Sequence, residues 1–419
     1  MPLLNLPNEI LLQILGCITK GADINSLIQT NRHLYTLGKP YLYRQNATHH
    51  NSMALDWGAQ KNRLDTMRSA LEHGADVEAT FDGPVKPTGL RALHRAADIG
   101  AKDAIKLLLD HGADPNVPSA FGTALLLACR RGHLGAVEAL LESPDIDPNA
   151  VGNSRVKDTP LCCAVDGGHF EIVERLLACE RVDVNQPSLD RGMTPLYISV
   201  IMRDHEVGQR MTGLLLAHPD IDPNLANGDG WPTPLMEAAM AGDIVRFRSL
   251  LEHPRLDLSA RDDQGKPVLS YAVLSRNTEL VQLMLDRGAN LNEEYRDGSS
   301  ALADAARYSR ASMVPFLLAR GADPRIGLPL HAAVWLDIGA VQPLLADPRT
   351  EVNARDRQGR TALSHAAENH RDGAVEALLR HPNIDVDIKD GDGMTAANIA
   401  EREGWHDIVD LLRAFESRT

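Results

Sequence analysis

Carboxylates crowd three short stretches of this chain: DIDPN at residues 145–149 and again at 220–224, and DGDG at 390–393. Acids this close to turn-forming residues are what a calcium loop uses, but such a loop needs glycine at its sixth place and a bidentate glutamate at its twelfth. Counted from Asp220, those places hold Leu225 and Trp231, so the stretches read as a repeated turn. His94, His133, His169 and His331 recur in step with a longer repeat, which makes them hydrogen-bonded structural groups rather than ligands or bases. Cys162-Cys163 has no local His or Asp arranged to generate a thiolate nucleophile and reads as a pair of small buried residues. The chain carries no glycine-rich phosphate loop, no GxSxG and no HExxH. The expectation is a non-enzyme without catalytic residues, metal ligands or cofactor.

Composition points the same way. Across 419 residues aromatics are only 4% while charged residues are 24%, which favours many small helices over one thick core. A formal net charge of -14 and the lack of any basic run disfavour nucleic acid as a partner; Arg130 and Arg131 read as a solvated helix face. The five cysteines, Cys17, Cys129, Cys162, Cys163 and Cys179, are odd in number and irregularly spaced. Neither a disulfide framework nor a zinc site is indicated, and a reducing compartment, cytoplasmic or nuclear, is expected. A membrane span needs about 18 or more apolar residues and no window approaches that, so no membrane partner is expected.

Internal repetition organises the rest. LRALHRAADIGAKDAIKLLLDHGADPN from Leu90, GTALLLACRRGHLGAVEALLESPDIDPN from Gly122 and DTPLCCAVDGGHFEIVERLLACERVDVN from Asp158 share one pattern. A marker leucine recurs at Leu93, Leu125, Leu161, Leu196, Leu235, Leu269, Leu302, Leu330 and Leu363, with Ala397 in the same slot and Leu55 marking a degenerate first copy. From Leu93 onward the spacing stays between 32 and 36 residues except for Leu196 to Leu235, which is 39, and Leu302 to Leu330, which is 28.

One copy can be read physically. Thr159, Thr194, Thr233, Thr361 and Thr395 sit where a hydroxyl caps a first helix, and Pro160, Pro195 and Pro234 follow at its first position. Small residues such as Ala96-Ala97 and Ala366-Ala367 let neighbouring helices approach, and a Gly or Asn turns the chain. A second helix buries leucine pairs such as Leu107-Leu108, Leu140-Leu141, Leu176-Leu177 and Leu378-Leu379, then stops at HGAD or HPDID. The Asp-Asn-Gly segment that follows projects as a hairpin or finger.

On these residues the array, residues 51–419 with about ten to eleven copies, resembles the ankyrin repeat family and its TPLHxAA, helix, GADVN pattern. The resemblance implies an all-α, ankyrin-repeat solenoid of helix pairs with hairpin fingers, continuous and right-handed. Two copies depart from the pattern: the one at Leu196 carries extra residues in IMRDHEVGQRMTG, and the one at Leu330 lacks much of its finger, DPRIGLPLHAA. The polar outer face of the final copy, with Glu401, Arg402, Glu403, Arg413 and Glu416, suits an end cap.

The opening, LLNLPNEILLQIL at residues 3–15, recurs nowhere. It lacks the basic start and unbroken apolar run of a signal peptide, and Ile10, Leu11, Ile14, Leu15 and Ile18 fall on one helical face. With DINSLIQTNRHLYTL as a second helix and KPYLYR as a closing segment, residues 1–47 resemble an F-box, a small three-helix module. That resemblance implies docking to a Skp-type adaptor by Leu6, Pro7, Ile10, Leu11 and Ile14, with Leu27, Leu34, Tyr41 and Leu42 completing or bracing the contact.

Together the resemblances imply the substrate receptor of a Skp-cullin-F-box ubiquitin ligase, its client protein held by the ankyrin concave surface. The alternative is a plain scaffold bridging protein partners, whose first helices only cap the solenoid. Phe121, Trp231, Tyr295, Tyr308 and Trp335 stand in slots usually filled by small or polar groups and are expected to be exposed client anchors.

Overall fold

The computed structural model describes residues 7–17, 29, 32–49, 52–81, 88–151, 157–228, 232–308, 312–336 and 338–417. These form helices joined by turns; among the described residues β-pairing is limited to the single bridges Ser119–Gly122 and Arg261–Pro267. Beyond those two antiparallel bridges the fingers are hydrogen-bonded turns. Among the described residues no helix is long and apolar enough to cross a membrane.

Two compact units divide the chain, residues 1–221 and 222–419. The first holds the helices Asn8–Cys17 and Arg32–His49, then five helix pairs: Met53–Gln60 with Leu64–Glu72, Ala92–Asp98 with Lys102–Asp110, Ala124–Arg131 with Leu134–Leu141, Pro160–Asp166 with Phe170–Leu177, and Pro195–Ile201 with His205–Leu216. The second holds six: Pro234–Ala241 with Ile244–Leu251, Val268–Leu274 with Thr278–Asp286, Ala301–Arg307 with Met313–Ala319, Pro329–Leu336 with Ile338–Ala346, Ala362–Glu368 with Asp372–Leu379, and Ala396–Glu403 with His406–Glu416. Within each unit, a first helix packs on its partner and on the first helix of the neighbouring pair.

Local chemistry sets these boundaries. The side chains of Thr159, Thr194, Thr233, Thr361 and Thr395 each accept from the backbone N–H three residues on, at 3.1–3.3 Å, and Thr123 and Ser300 do the same. Pro160, Pro195 and Pro234 open their helices as expected. Marker leucines from Leu55 to Leu363 are buried, as are Ala96, Ala97, Ala366 and Ala367. Among the second-helix leucine pairs Leu140-Leu141 and Leu250-Leu251 are buried at both residues, while Leu107, Leu177 and Leu379 are half-buried at the edge of the inward stripe.

Glycine turns link successive copies. Gly100 and Gly132 adopt φ of 74° and 77°, and a Cβ there would fall 2.8 Å and 2.7 Å from the rings of His133 and His169 in the next copy. The histidine slots are structural for the same reason. His94 is buried, accepts from the Arg91 N–H at 3.1 Å and bonds the Val117 carbonyl at 2.9 Å; burial holds its imidazole down to about 4.

The acidic stretches are turn caps. Asp147, Asp183 and Asp222 each accept from the N–H two residues on. Asp390 of DGDG accepts from Asp392 and Met394, and Asp356 and Asp262 form the same two bonds at their own finger tips.

At the N-terminus one expectation fails. HLYTL and KPYLYR do not belong to separate elements but lie on the single helix Arg32–His49, with Pro40 inside it. The helix packs on both helices of the first repeat, the Asn46 side chain accepts from the Ala54 N–H at 2.7 Å, and Tyr43 stacks on His73 at 6.0 Å. This packing outweighs the one backbone bond that proline removes.

Candidate protein-interaction surfaces

Two places present side chains that the fold itself does not use. The first is the N-terminal helix pair. Leu11 and Leu34 are buried in it at 1% and 3% exposure and so brace the helices, while Pro7 and Ile10 are exposed and Ile14, Tyr41 and Leu42 are half-buried. Leu6 and Leu27 lie outside the described residues. Tyr35, part of the HLYTL stretch but not among the expected adaptor contacts, is exposed here, with the Lys39 ammonium 5.9 Å from its ring and equally far from that of Tyr43. Met53 and Trp57 add further exposed apolar surface on the first repeat. The signal for Trp57 was its place two residues after the marker Leu55.

The second place is the array. Phe121, Tyr308 and Trp335 are exposed as expected, and Trp231 lies outside the described residues. Tyr295 is not exposed: it is 5% accessible at the base of a finger, its N–H donating to the Ser299 carbonyl at 2.8 Å. Burial and the Asp304 carboxylate push its phenol well above the usual range, and its role is packing. Phe121 belongs to the first unit and Tyr308 and Trp335 to the second.

Trp335 stands in a notch of about 770 Å³. From Leu302 to Leu330 is 28 residues and from Leu330 to Leu363 is 33, so the copy at Leu330 lacks five residues, all from its finger. The abbreviated turn lies flat: Ser300 Oγ donates to the Ile326 carbonyl at 2.9 Å, and a Cβ on Gly327 would come within 2.7 Å of the Ser300 nitrogen. Leu328 takes the slot where Thr361 caps the next copy, in the left-handed region with φ of 52°. The fingers on either side, carrying Asp297-Gly298 and Arg357-Gln358, form the walls.

The ring of Trp335 sits 5.8 Å from that of His365, which meets His331 edge-on at 5.6 Å. His331 Nε2 faces the Arg360 carbonyl at 3.1 Å, and His365 Nε2 faces Asp356 Oδ2 at 2.7 Å; the Nδ1 atoms of both rings are buried without a hydrogen-bond partner among the described residues. Arg325 is held by Asp323 at 2.7 Å, whose carboxyl it lowers to about 2. The other two guanidiniums of the notch, Arg307 and Arg357, are exposed and have no carboxylate partner among the described residues. Neither arginine was singled out in the sequence, although the 28-residue spacing marks the place.

Two further clusters stand elsewhere in the array. Burial pushes the thiols of Cys162 and Cys163 up to about 11 and about 12, too high for a reactive thiolate. His370, Asp372 and Asp407 lie close together, but all are exposed and the His370 ring is stacked on Trp405 at 4.2 Å.

The family described as "Ankyrin repeats (3 copies)" matches residues 55–152, 125–227, 208–295, 235–327 and 330–417. Ankyrin repeat and KH domain-containing protein mask-1 of Caenorhabditis elegans is 29% identical over 277 residues, 65% of this chain and 10% of that protein. E3 ubiquitin-protein ligase KEG of Arabidopsis thaliana is 26% identical over 253 residues, 58% of this chain and 15% of that protein. The chain thus spans 10% to 15% of the length of these relatives. The ankyrin repeat domain of Bcl-3 aligns with 55% of this chain and 97% of its own at 22% identity, with a TM-score of 0.48. With matches that together run from residue 55 to residue 417 and a helix pair at each marker, the chain belongs to the ankyrin repeat family.

Proposed function

We propose that this protein interaction array serves as the substrate receptor of a Skp-cullin-F-box ubiquitin ligase. The observation that carries the reading is the N-terminal helix pair, whose LPNEI segment turns Pro7 and Ile10 outward while Leu11 and Leu34 hold the helices together. A partner covering these groups removes apolar surface from water, which is the main driving force in most protein associations. One relative, KEG, is an E3 ubiquitin-protein ligase by name. In this reading the chain supplies binding and no catalysis: the N-terminal helices hold a Skp-type adaptor, and Phe121, Tyr308 and Trp335, with Trp231, contact the client.

A scaffold reading also has a specific observation in its favour, since the helix Arg32–His49 packs on the first repeat as a cap would. Copurification of the adaptor with the intact chain decides between them. Leu6→Ala, Pro7→Ala and Ile10→Ala together should abolish it while leaving the helical signal unchanged, because Pro7 and Ile10 are exposed. Loss of one well-buried anchor typically costs about 2 kcal/mol in binding, roughly thirtyfold. If wild type never captures the adaptor, or the triple variant captures it equally, the scaffold reading replaces the ligase reading.

A further inference from the structure

Lysine is unevenly placed along this chain. Residues 1–157 hold seven lysines and nine arginines, whereas residues 158–419 hold two lysines and twenty-five arginines, a contrast inside one chain that no overall compositional bias explains. Lysine is ordinarily among the commonest residues of a soluble domain. Of the two in the longer stretch, Lys266 is buried and held by Asp304 at 3.3 Å, which leaves Lys389 as its one exposed lysine. Lys61 and Lys157 are exposed in the shorter stretch.

Geometry accounts for part of the arginine excess. Arg181 donates from Nη1 to the Pro144 and Ile146 carbonyls at 3.0 and 2.9 Å, and Arg287 and Arg355 reach the Leu251 and Lys389 carbonyls, each at 2.6 Å. A planar fork suits such ties between copies. It does not account for Arg276, Arg307 and Arg357, whose side chains are exposed and make no hydrogen bond or ion pair among the described residues. Lysine would give the same charge and solubility there. What arginine changes is reactivity: a neutral lysine amine attacks a thioester, whereas a guanidinium stays protonated with its electrons delocalised. A client held on the array brings the ubiquitin-charged enzyme close to the array as well, so an array amine beside the client competes as an intramolecular acceptor.

We propose that residues 158–419, which carry the client contacts Trp231, Tyr308 and Trp335, present arginine in place of lysine so that the client's amines, and not the receptor's own, receive ubiquitin. In the transfer an amine nitrogen bonds the C-terminal carbonyl carbon of ubiquitin, the thioester C–S bond to the conjugating enzyme breaks, and the amine proton passes to the departing thiolate. Self-transfer then falls on Lys389 and on lysines of residues 1–157 such as Lys61 and Lys157. This rests on the ligase reading above and extends it to the regulation of that complex.

The test assembles the full chain with the Skp-type adaptor, a cullin-RING core, a conjugating enzyme, ubiquitin and ATP, without client, and locates conjugates by peptide mass spectrometry. Wild type is compared with the combined Arg276→Lys, Arg307→Lys and Arg357→Lys variant, and with Arg307→Lys alone. Each swap keeps the charge at an exposed site, and an unchanged unfolding midpoint checks the fold. Conjugates within residues 158–419 should rise about fourfold in the triple variant and about twofold in the single one, in proportion to exposed amines, with Lys266 unmodified throughout. An assembled complex that leaves the introduced lysines unmodified, or that modifies Lys266 in wild type, overturns this inference and leaves the ligase reading standing. A chain that never captures the adaptor overturns the ligase reading, and this inference with it.

Discussion

The two units stack their repeats on the same plan and differ in how neighbouring fingers are tied. In the first, Asn116, Asn149 and Asn185 each donate from the side chain to a carbonyl in the following copy, Asp145, Arg181 and Asp220, at 2.7–2.8 Å. Asn116 and Asn149 also accept from the N–H groups of Asp147 and Asp183, so the link is two-way. In the second unit only alternate links survive: Asn224, Asn292 and Asn353 reach Arg255, Gly321 and Asn383. Between them stand Ser259, whose hydroxyl turns back to Asp257 at 2.6 Å, and Arg325, which folds onto Asp323. The second unit also has the missing finger and a buried pair, Lys266 and Asp304, with Ser270 and Ser299 donating to the same carboxylate. Regular links tie the stack; the departures interrupt the ladder, open a notch and bury a charge pair.

The largest effect should come from the buried pair. Asp304→Ala leaves the Lys266 ammonium without its carboxylate, and breaking such a pair costs about 3–5 kcal/mol. Thermal unfolding followed by hydrogen exchange should show the loss at residues 262–308 with the first unit little changed, since repeat stability is local. Lys266→Met with Asp304→Leu should recover most of it. Uniform loosening across both units would mean the pair is not a local feature.

Acid should weaken both units through their buried histidines. His94 has a folded value of about 4 against an ordinary 6.5, so the unfolded chain takes up the proton first. Its contribution is fully present above pH 6.5 and falls away as pH drops toward 4, by as much as about 3 kcal/mol. His331 is shifted in the same direction by burial, so the sign is shared. Unfolding midpoints measured across this range should fall less steeply in a His94→Gln chain; an unchanged slope would remove His94 as the cause.

Smaller effects separate the two kinds of finger link. Asn149→Ala deletes both bonds to the next copy and should cost about 1–2 kcal/mol, whereas Ser259→Ala should stay within about 0.5 kcal/mol. Equal losses at the two sites would show that the ladder contributes nothing. Smallest of all, Ser259→Asn should raise stability by about 0.5–1 kcal/mol if it re-forms the missing link, a gain readable in denaturant midpoint.

What the sequence alone determined is local: repeat period, helix starts, the burial of each marker leucine and the turn-capping role of DIDPN and DGDG. Each follows from bonds made within a few residues, as with Thr159 and the Cys162 N–H, or from an apolar stripe of helical period. Family membership was legible for the same reason, since one copy's pattern recurs along most of the chain. Tertiary structure alone decided what lies between copies. Tyr295 looks like an exposed anchor in sequence, but it is buried at the base of its finger. KPYLYR looks like a separate segment, but the first repeat holds it on one helix with HLYTL. The notch follows from a five-residue deficit that sequence spacing records, yet the pairing that leaves Arg307 and Arg357 without partners, and the His331 nitrogen unmet, depends on side chains brought together from three successive copies. Contacts at a range of one repeat or more depend on the stacking of whole helices, and no local pattern encodes them.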